Sequence, residues 1–560
     1  MKYFTTKHLY CVLLLIMTIG NVYAQNVNVE EVININKKKP FKINGNISAS
    51  GTYFKSNQMT GRQPFTYQLA GSVNLSFYEL INIPLSINLN NYGANFTYPS
   101  LPNRLSLHPS YKWAKAHIGD VSMSMSPYTM NGHQFTGAGI ELTPDKWQIM
   151  AFGGRLLRAV DYNPEIPNLM PTYKRMGYGG KLRYDSDKFF VGGTALVARD
   201  QVKNQSFVMD SLGITPKQNM AFSVEAGISL IQNLTLSAEY GISIMKNDIR
   251  TQATPNIYQA VKAGLNYTFL KNNIGVAYER ISPDYQTLGA YYFNNDYENV
   301  TMNYARPFFN DKLQLSVAGG LQRDDLNNAK AEKNRRVVGS IDLNYTPTER
   351  LNASLSASTF QGHRNLKSTF DYINAQTPYD NLDTLNYTQI SNNIDFNLNW
   401  ITRQTEVRSD QFGFNVSFQE AGDKQGQYIL PGNLTRFLNI STSYGMSFIP
   451  QNVNINWGFN ATNNYSSMLN MLTVGPIVSV SWRTLKNTLT TSLSFSGNRT
   501  YQEKKALADI YNARFSAGYR FWKRHSLQFS IIYQKRDLND NSSILDIYSA
   551  TSVMTYSRNF

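Results

Sequence analysis

The 560-residue sequence is poor in cysteine, in charge and in long apolar runs. Its one cysteine is Cys11, and charged side chains make up 16% of the chain, against roughly 25% in ordinary soluble domains. The apolar run that comes nearest to the roughly 20 residues of a transmembrane helix lies at the N-terminus. These absences exclude a disulfide framework and a helical membrane protein, and the 13% aromatic content excludes a disordered chain.

The N-terminus has the parts of a secretory signal peptide. A basic stretch precedes an apolar run at residues 9–19, and Val22-Tyr23-Ala24 has the small-residue pattern of a cleavage site. We therefore predict a signal peptide over residues 1–24 and a short periplasmic segment over residues 25–41. Because Cys11 lies in the part that is removed, the mature chain is predicted to contain no thiol.

The mature chain alternates apolar with small or uncharged-polar residues over most of its length, which is the pattern of β-strands. In one example Phe412, Phe414, Val416 and Phe418 alternate with Gln411, Gly413, Asn415, Ser417 and Gln419. The segments run for about 10 to 14 residues, longer than the usual 5 or 6 of globular strands. That length is sufficient for a tilted strand to cross a bilayer.

The polar face of these segments distinguishes a membrane barrel from a soluble β-sandwich. A soluble sandwich carries Lys and Glu on its outer face, whereas here the polar positions are Ser, Thr, Asn, Gln and Gly. This composition suits the lumen of a transmembrane barrel whose apolar face is turned to lipid. Together with the signal peptide, it favours a β-barrel of the cell outer membrane.

Tight polar turns divide the chain into hairpins. They recur at residues 143–146, 185–188, 232–233, 271–273, 310–312, 346–349, 403–409, 450–452, 486–487 and 523–524. We interpret these turns as periplasmic and the longer connections as extracellular. The spacing, with earlier segments from residue 42 on, predicts about 26 strands (range about 22–26). The predicted fold is all-β: a single transmembrane antiparallel β-barrel over residues 42–560, with no plug domain.

The signal peptide, the alternating strands, the short turns and the terminal Phe560 resemble Gram-negative outer-membrane β-barrel proteins, with an Asn- and Tyr-rich style similar to Bacteroidota. The resemblance is to a class and not to a specific family. It implies a C-terminal assembly signal that includes Tyr556 and Phe560, although Arg558 and Ser552 depart from the apolar pattern. It also implies partners: outer-membrane lipid and lipopolysaccharide, and the barrel-assembly machinery during insertion.

The predicted width of the barrel raises the question of what fills it. A circular barrel of about 26 strands would be ~50 Å across, too wide to stay empty in a permeability barrier. The segment before the first strand is too short for a plug. Three solutions stay open: a flattened barrel, loops folded inward, or a lumen-plugging or periplasmic partner protein.

One glycine-rich stretch, residues 117–139, is a candidate constriction of the lumen. Its candidate residues are Gly119, Asp120, His133, Gly137 and Gly139. The alternative is an ordinary pair of strands joined by a turn. His117 and His133 make a weak candidate metal pair because no constellation of nearby carboxylates accompanies them, so we predict neither a metal nor a cofactor.

The remaining motifs give no support to catalysis or to nucleic-acid binding. No histidine lies in a serine-nucleophile motif, so we predict that the chain is not an enzyme. The formal net charge is +15, but the basic residues gather near strand ends, which favours contact with lipid phosphates over nucleic acid. Basic residues inside the lumen would instead indicate anion selectivity.

Three functional hypotheses follow. The first is a wide, porin-like transport conduit, which a partner could occlude. The alternative is a non-enzymatic structural or assembly subunit that docks periplasmic or surface lipoproteins. An outer-membrane hydrolase is a distant third.

Overall fold

The computed structural model describes most of the chain from residue 39 on. The described residues are 39–58, 63–91, 104–162, 164, 171–202, 207–291, 295–324, 326–327, 335–359, 390–421, 424–425, 428–429, 434–466, 470–538 and 546–560. The predicted signal peptide and nearly all of the predicted periplasmic segment lie outside these ranges.

The described chain is almost entirely β-strand. The first strands are β1 (Phe41–Ser56), β2 (Phe65–Phe77), β3 (Ile81–Asn90), β4 (Arg104–Leu107), β5 (Ser110–Tyr111), β6 (Ala114–Met123), β7 (His133–Leu142), β8 (Trp147–Leu157), β9 (Lys174–Asp185), β10 (Phe189–Gln201), β11 (Gln218–Ile231), β12 (Leu234–Lys246), β13 (Asn256–Phe269), β14 (Asn272–Ile281) and β15 (Tyr297–Phe308). The later strands are β16 (Leu313–Asp324), β17 (Arg335–Thr348), β18 (Leu351–Thr359), β19 (Ile390–Gln404), β20 (Arg408–Ala421), β21 (Lys424–Gln425), β22 (Tyr428–Ile429), β23 (Thr435–Phe448), β24 (Val453–Ser466), β25 (Asn470–Thr484), β26 (Leu489–Gln502), β27 (Lys505–Phe521), β28 (His525–Leu538) and β29 (Ile547–Asn559). A five-residue helix covers Phe207–Ser211, and no described helix is long and apolar enough to cross a membrane.

The strands form one closed antiparallel barrel. Each strand pairs with its neighbours in the chain, and β1 pairs with β29 from Asn46 opposite Asn559 to Ser56 opposite Ser549. The short segments β4 and β5 both pair with β3 and with β6, so together they occupy one position in the wall. The ribbon of β21 and β22 lies outside the main sheet. The barrel therefore has 26 strand positions, which confirms the predicted fold class.

The two faces of the wall differ as the alternation predicts. In β11 the side chains of Asn219, Ala221 and Ser223 point inward and are buried, whereas Phe222 and Val224 point outward and are exposed. Large exposed apolar residues on the outer face recur around the whole barrel. An apolar exterior of this extent is the surface that a bilayer covers.

The tight turns mark one membrane interface. All six Trp residues of the chain lie within about five residues of a tight turn, as Trp side chains do at membrane interfaces. They are Trp113, Trp147, Trp400, Trp457, Trp482 and Trp522. At the same end the Arg306 and Arg408 guanidinium groups lie 4.9 Å and 5.3 Å from the ring centroids of Phe308 and Phe448. This end of the barrel therefore meets one headgroup layer, and the other end, which we call the loop end, meets the opposite one.

Candidate functional site

Two connections at the loop end fold into the lumen. The first joins β6 to β7 through residues 124–132, and the second follows β14 through residues 282–291. Met130, Thr129 and Tyr285 are each 0% exposed, which is unlike the solvated tip of a surface loop. We call the two segments together the lumenal insert.

The two halves of the insert bind each other through their backbones. Met130 and Gly289 form a parallel β-bridge, and the Asn131 amide donates to the Gly289 carbonyl at 2.9 Å. A Cβ atom at Gly289 would lie 2.4 Å from the Thr129 carbonyl oxygen, so this approach requires glycine. The Tyr285 hydroxyl donates to the Tyr128 carbonyl at 2.7 Å. The insert is therefore one packed unit.

Apolar packing seats the insert on the wall. Met125, Met130 and Leu288 belong to a buried cluster with inward side chains of strands β6 to β12. The wall members of this cluster are Val121, Met123, Phe135, Met150, Phe152, Leu156, Leu196, Ala198, Ala221 and Met245. Burial of a large apolar side chain is worth roughly 1.5–3 kcal/mol, so the cluster stabilises the inward fold of the insert.

A row of charged side chains crosses the inner wall below the insert. The strand register places Glu225 opposite Glu239, Glu239 opposite Lys262, and Lys262 opposite Glu279. The Lys181 ammonium lies 2.7 Å from the Glu225 carboxylate. Charges are costly inside a barrel wall unless they are paired or hydrogen-bonded, so this row is a specific feature of the lumen.

Three members of this charged row hold the insert. The Ser126 hydroxyl donates to the Glu239 carboxylate, and the Tyr128 hydroxyl donates to the Glu279 carboxylate at 2.8 Å. The Lys181 ammonium donates to the backbone carbonyl of Met125 at 2.9 Å. Burial and the nearby Glu279 carboxylate raise the pKa of Tyr128 far above its usual range, so this hydroxyl stays a donor.

Buried amide and hydroxyl groups of the wall hold the second half of the insert, residues 282–291. The Leu288 amide donates to the Asn219 side-chain oxygen at 3.0 Å, and the Asn219 side-chain amide donates to the Ser243 hydroxyl at 2.7 Å. The Ser243 hydroxyl in turn donates to the Gln286 carbonyl at 2.5 Å. These partners satisfy polar groups that are otherwise costly to bury.

The predicted constriction residues do not gather at one point. His133 and the glycines at 137 and 139 lie on the inner face of β7, where the His133 ring stacks on Tyr291 at 4.2 Å. Asp120 lies on the opposite face from Val121 and accepts a hydrogen bond from the Thr136 hydroxyl at 2.6 Å. Its other oxygen accepts from the Leu105 amide at 3.2 Å.

Gly119 takes the positive φ angle of 99°, at the position where the short strand β4 ends its pairing with β6. In the β6–β7 register Gly119 stands directly opposite Gly137, while His133 lies further along β7, against Tyr291 of the insert. The structure therefore brings Gly119 together with the glycines of β7, sets His133 apart from them and places Asp120 outside the lumen.

The histidines pair differently from the sequence interpretation. His117 contacts His108, with 2.8 Å between their Nδ1 atoms, and its Nε2 lies 3.0 Å from the Glu141 carboxylate. His133 is not part of this group. Within the described residues, no three His, Cys, Asp or Glu side chains converge as ligands for a metal ion.

The inner wall beside the insert is lined by polar side chains, and we call it the polar sector. Hydrogen bonds there join side chains of neighbouring strands, including Ser356 with Asp342 and Ser417 with Asp395, both at 2.7 Å. A cavity of about 720 Å³ lies along this wall near the tight-turn end. This sector presents the uncharged-polar and weakly acidic surface that the polar face of the sequence predicts.

The predicted assembly residues lie at the closing seam. Tyr556 faces outward, and its hydroxyl lies 2.7 Å from His525 Nδ1. The Phe560 amide donates to the Gly45 carbonyl at 2.9 Å. The last residue of the chain thus extends the pairing of β29 with β1.

Sequence reasoning singled out the stretch that contains Ser126 and Tyr128 but missed their partners Lys181, Glu239 and Glu279. The signal that could have found these partners was the presence of acidic residues inside the strands β12 and β14. Glu239 and Glu279 occupy inward positions in strands whose other inward residues are uncharged or small.

Replacing Tyr128 with Phe is expected to loosen the insert. The variant leaves the Glu279 carboxylate without one donor, and a hydrogen bond to a charged group is worth about 1.5–3 kcal/mol. Hydrogen exchange of the Asn131 amide should then accelerate by about ten-fold or more. The matched control is Tyr278→Phe, which removes a similar bond to Glu298 on the outer face. Equal exchange in both variants and the parent would contradict the anchoring role.

Comparisons with known proteins describe the architecture. No family model matches the sequence, and no curated protein matches it. The P pilus usher PapC translocation pore aligns over 92% of this chain and 99% of its own, with 9% identity and a TM-score of 0.40. The ferric preacinetobactin receptor BauA of Acinetobacter baumannii aligns over 93% and 80%, with 10% identity and a TM-score of 0.34.

A mutant of the Rh. blastica porin aligns over 55% of this chain and 99% of its own, with 12% identity and a TM-score of 0.27. At these identities the likeness concerns the barrel fold alone. The closed 26-strand wall, the apolar exterior and the interfacial Trp residues are features of the chain itself. By this architecture the chain is an outer-membrane β-barrel protein.

Proposed function

We propose that the protein is a transport conduit for hydrophilic solutes across the outer membrane, narrowed by its own lumenal insert. The observation that carries the proposal is the insert itself, which is packed and hydrogen-bonded to one sector of the wall and leaves a polar sector beside it. Of the three solutions to the wide lumen, inward-folded loops are the one that these contacts support.

The charges of the inner wall indicate the class of solute. Along the charged row, the bases Lys181, Arg183 and Lys262 accompany the acids Glu225, Glu239 and Glu279. Their charges balance, and the polar sector adds the acids Asp342 and Asp395, so the described lumen has no excess of bases that would favour anions. In this proposal the solute is polar and uncharged, and the protein has no catalytic activity and needs no cofactor.

Conductance of the purified protein in planar bilayers tests this proposal. We expect discrete channels with no preference for small anions over cations, because the charged row is balanced and the polar sector beside the insert carries Asp342 and Asp395. Reversal potentials under a salt gradient measure that preference. Silent bilayers, with a folded barrel verified by heat-dependent migration on gels, would overturn the proposal of an open conduit.

A second candidate function is a docking subunit of an outer-membrane complex. The observation in its favour is the width of the wall, since the described insert contacts mainly strands β6 to β14 of 26 positions. A periplasmic or surface lipoprotein could occupy the polar sector. Purification in mild detergent distinguishes the two functions, because a docking subunit should retain a stoichiometric partner and a conduit should be recovered alone.

A further inference from the structure

The described wall has its fewest paired residues where β4 and β5 meet β6. Two residue pairs join β4 to β6 and two join β5 to β6, whereas ten pairs join β6 to β7 on its other side. The break between β4 and β5 falls at His108 and Pro109, and proline has no amide hydrogen to donate to a neighbouring strand. Side-chain contacts across this seam therefore supplement a short backbone ladder.

Two histidine rings meet across this seam on the inner face of the wall. His117 stands opposite Gly139, an inward position of β7, and is 4% exposed. His108 Nδ1 lies 2.8 Å from His117 Nδ1, and the two rings are inclined at 75°. A hydrogen bond between these atoms requires a proton on one nitrogen and a lone pair on the other. The seam thus holds two imidazole nitrogens that face one point between them.

A carboxylate lies behind the buried ring. Glu141 follows Gly139 on the inner face of β7, and its carboxylate is 3.0 Å from His117 Nε2. That nitrogen is buried, yet no group is aligned with it for a hydrogen bond. A buried polar atom is seldom left in this state. A small rotation of the His117 ring would let Nε2–H donate to Glu141, and the same rotation moves Nδ1 relative to His108.

The distances and the donor atoms suit a divalent transition-metal ion. Metal–nitrogen bonds of about 2.0–2.1 Å in a tetrahedral site hold two nitrogen ligands about 3.3 Å apart, so the two Nδ1 atoms need to separate by roughly half an ångström. Neutral imidazole is a ligand for Zn²⁺, Cu²⁺ and Ni²⁺, whereas Mg²⁺ and Ca²⁺ prefer oxygen. A ligating histidine commonly donates its other N–H to a carboxylate, and Glu141 lies where His117 can do so.

We propose that His108 and His117 bind a divalent transition-metal ion through their Nδ1 atoms, with Glu141 orienting His117. The ion replaces the shared proton, which leaves to solvent, and water completes the coordination because only two side chains are ligands. Glu141 is 31% exposed, so the site opens to the lumen. Lys115, opposite Glu141, is exposed to water, which screens its charge. The bound ion links β6 to the strand position of β4 and β5, and this role does not depend on the proposed conduit.

Electron paramagnetic resonance of the untagged barrel during titration with Cu²⁺ tests the proposal. We expect a signal that saturates at one ion per chain and is split by two nitrogen ligands. Glu141→Gln should weaken Cu²⁺ binding about 10-fold to 100-fold. His108→Asn, which removes a ligand, should weaken it further and leave one nitrogen. The matched control is His133→Asn, because it removes another buried inward histidine, and it should bind Cu²⁺ as the parent does.

The stability of the barrel gives a second readout. Excess Zn²⁺ should raise the unfolding temperature of the parent and of His133→Asn, measured by heat-dependent migration on gels, but not that of His108→Asn. Excess Mg²⁺ should raise none of them. A parent spectrum without saturation or without nitrogen splitting would overturn the proposal even if no variant folds. Equal Cu²⁺ binding by the parent and a folded His108→Asn variant would overturn it as well, and unchanged binding by Glu141→Gln would overturn the orienting role.

Discussion

Replacing residues 125–131 with an Asn-Gly turn is expected to raise the single-channel conductance of the barrel several-fold. The replacement removes Met125, Tyr128 and Met130 from the lumen and leaves the second half of the insert without its partner. Two residues of this type form the tight turns that suit antiparallel hairpins, so β6 and β7 can still pair. Planar-bilayer recording measures the change.

A control and a second variant make this prediction specific. The same turn in place of residues 251–255, an exposed part of the β12–β13 connection, should leave the conductance near that of the parent. Gly289→Val keeps the length of the chain but forces the two halves of the insert apart, because its side chain would collide with Thr129 and Leu196. Unchanged conductance in both insert variants, with the barrel folded, would show that the insert does not limit flow.

The barrel architecture follows from local patterns, which is why the sequence predicts it well. Alternation along single strands defines which residues face lipid, and residues such as Asn233 and Lys271 at positive φ mark the tight turns. Both signals lie within about 15 residues of chain, so counting turns is sufficient to count strands. Closure then follows from the even number of strands and the need to pair both edges.

The lumenal insert could not be predicted in the same way. Tyr128 and Tyr285 lie 157 residues apart, and no periodic pattern links them. The stretch from residue 126 to residue 133 has the composition of an ordinary turn, and only the tertiary structure shows that its Ser126 and Tyr128 hydroxyls reach Glu239 and Glu279.

The placement of basic residues on the outer face is a second feature that composition alone could not give. Arg306 and Arg408 lie over aromatic rings at the tight-turn end. Arg436 and Arg499 lie at the loop end, where they pair with Glu420 and Asp509. The sequence shows the number of such residues, but only the strand register shows at which end each one lies.

The closing seam provides the second large expected effect, a nearly complete crosslink between the two ends of the barrel. Ser50 and Thr555 stand directly opposite each other on β1 and β29. Backbone bonds from Asn57 to Tyr548 and from Phe560 to Gly45 show that the outward pairs are the hydrogen-bonded ones. Ser50 and Thr555 are therefore a non-hydrogen-bonded pair, in which side chains approach closely enough for a disulfide.

Ser50→Cys with Thr555→Cys should oxidise almost completely in the folded barrel. Because the mature chain is predicted to contain no other thiol, every disulfide reports this pair, and mass spectrometry of the joined peptides measures its yield. The matched control, Ser50→Cys with Val553→Cys, places the two cysteines at diagonal positions about 7–8 Å apart, beyond the usual separation of disulfide-bonded residues. Equal yields would mean that β1 and β29 slide past each other, and no yield from the direct pair would contradict a barrel closed in this register.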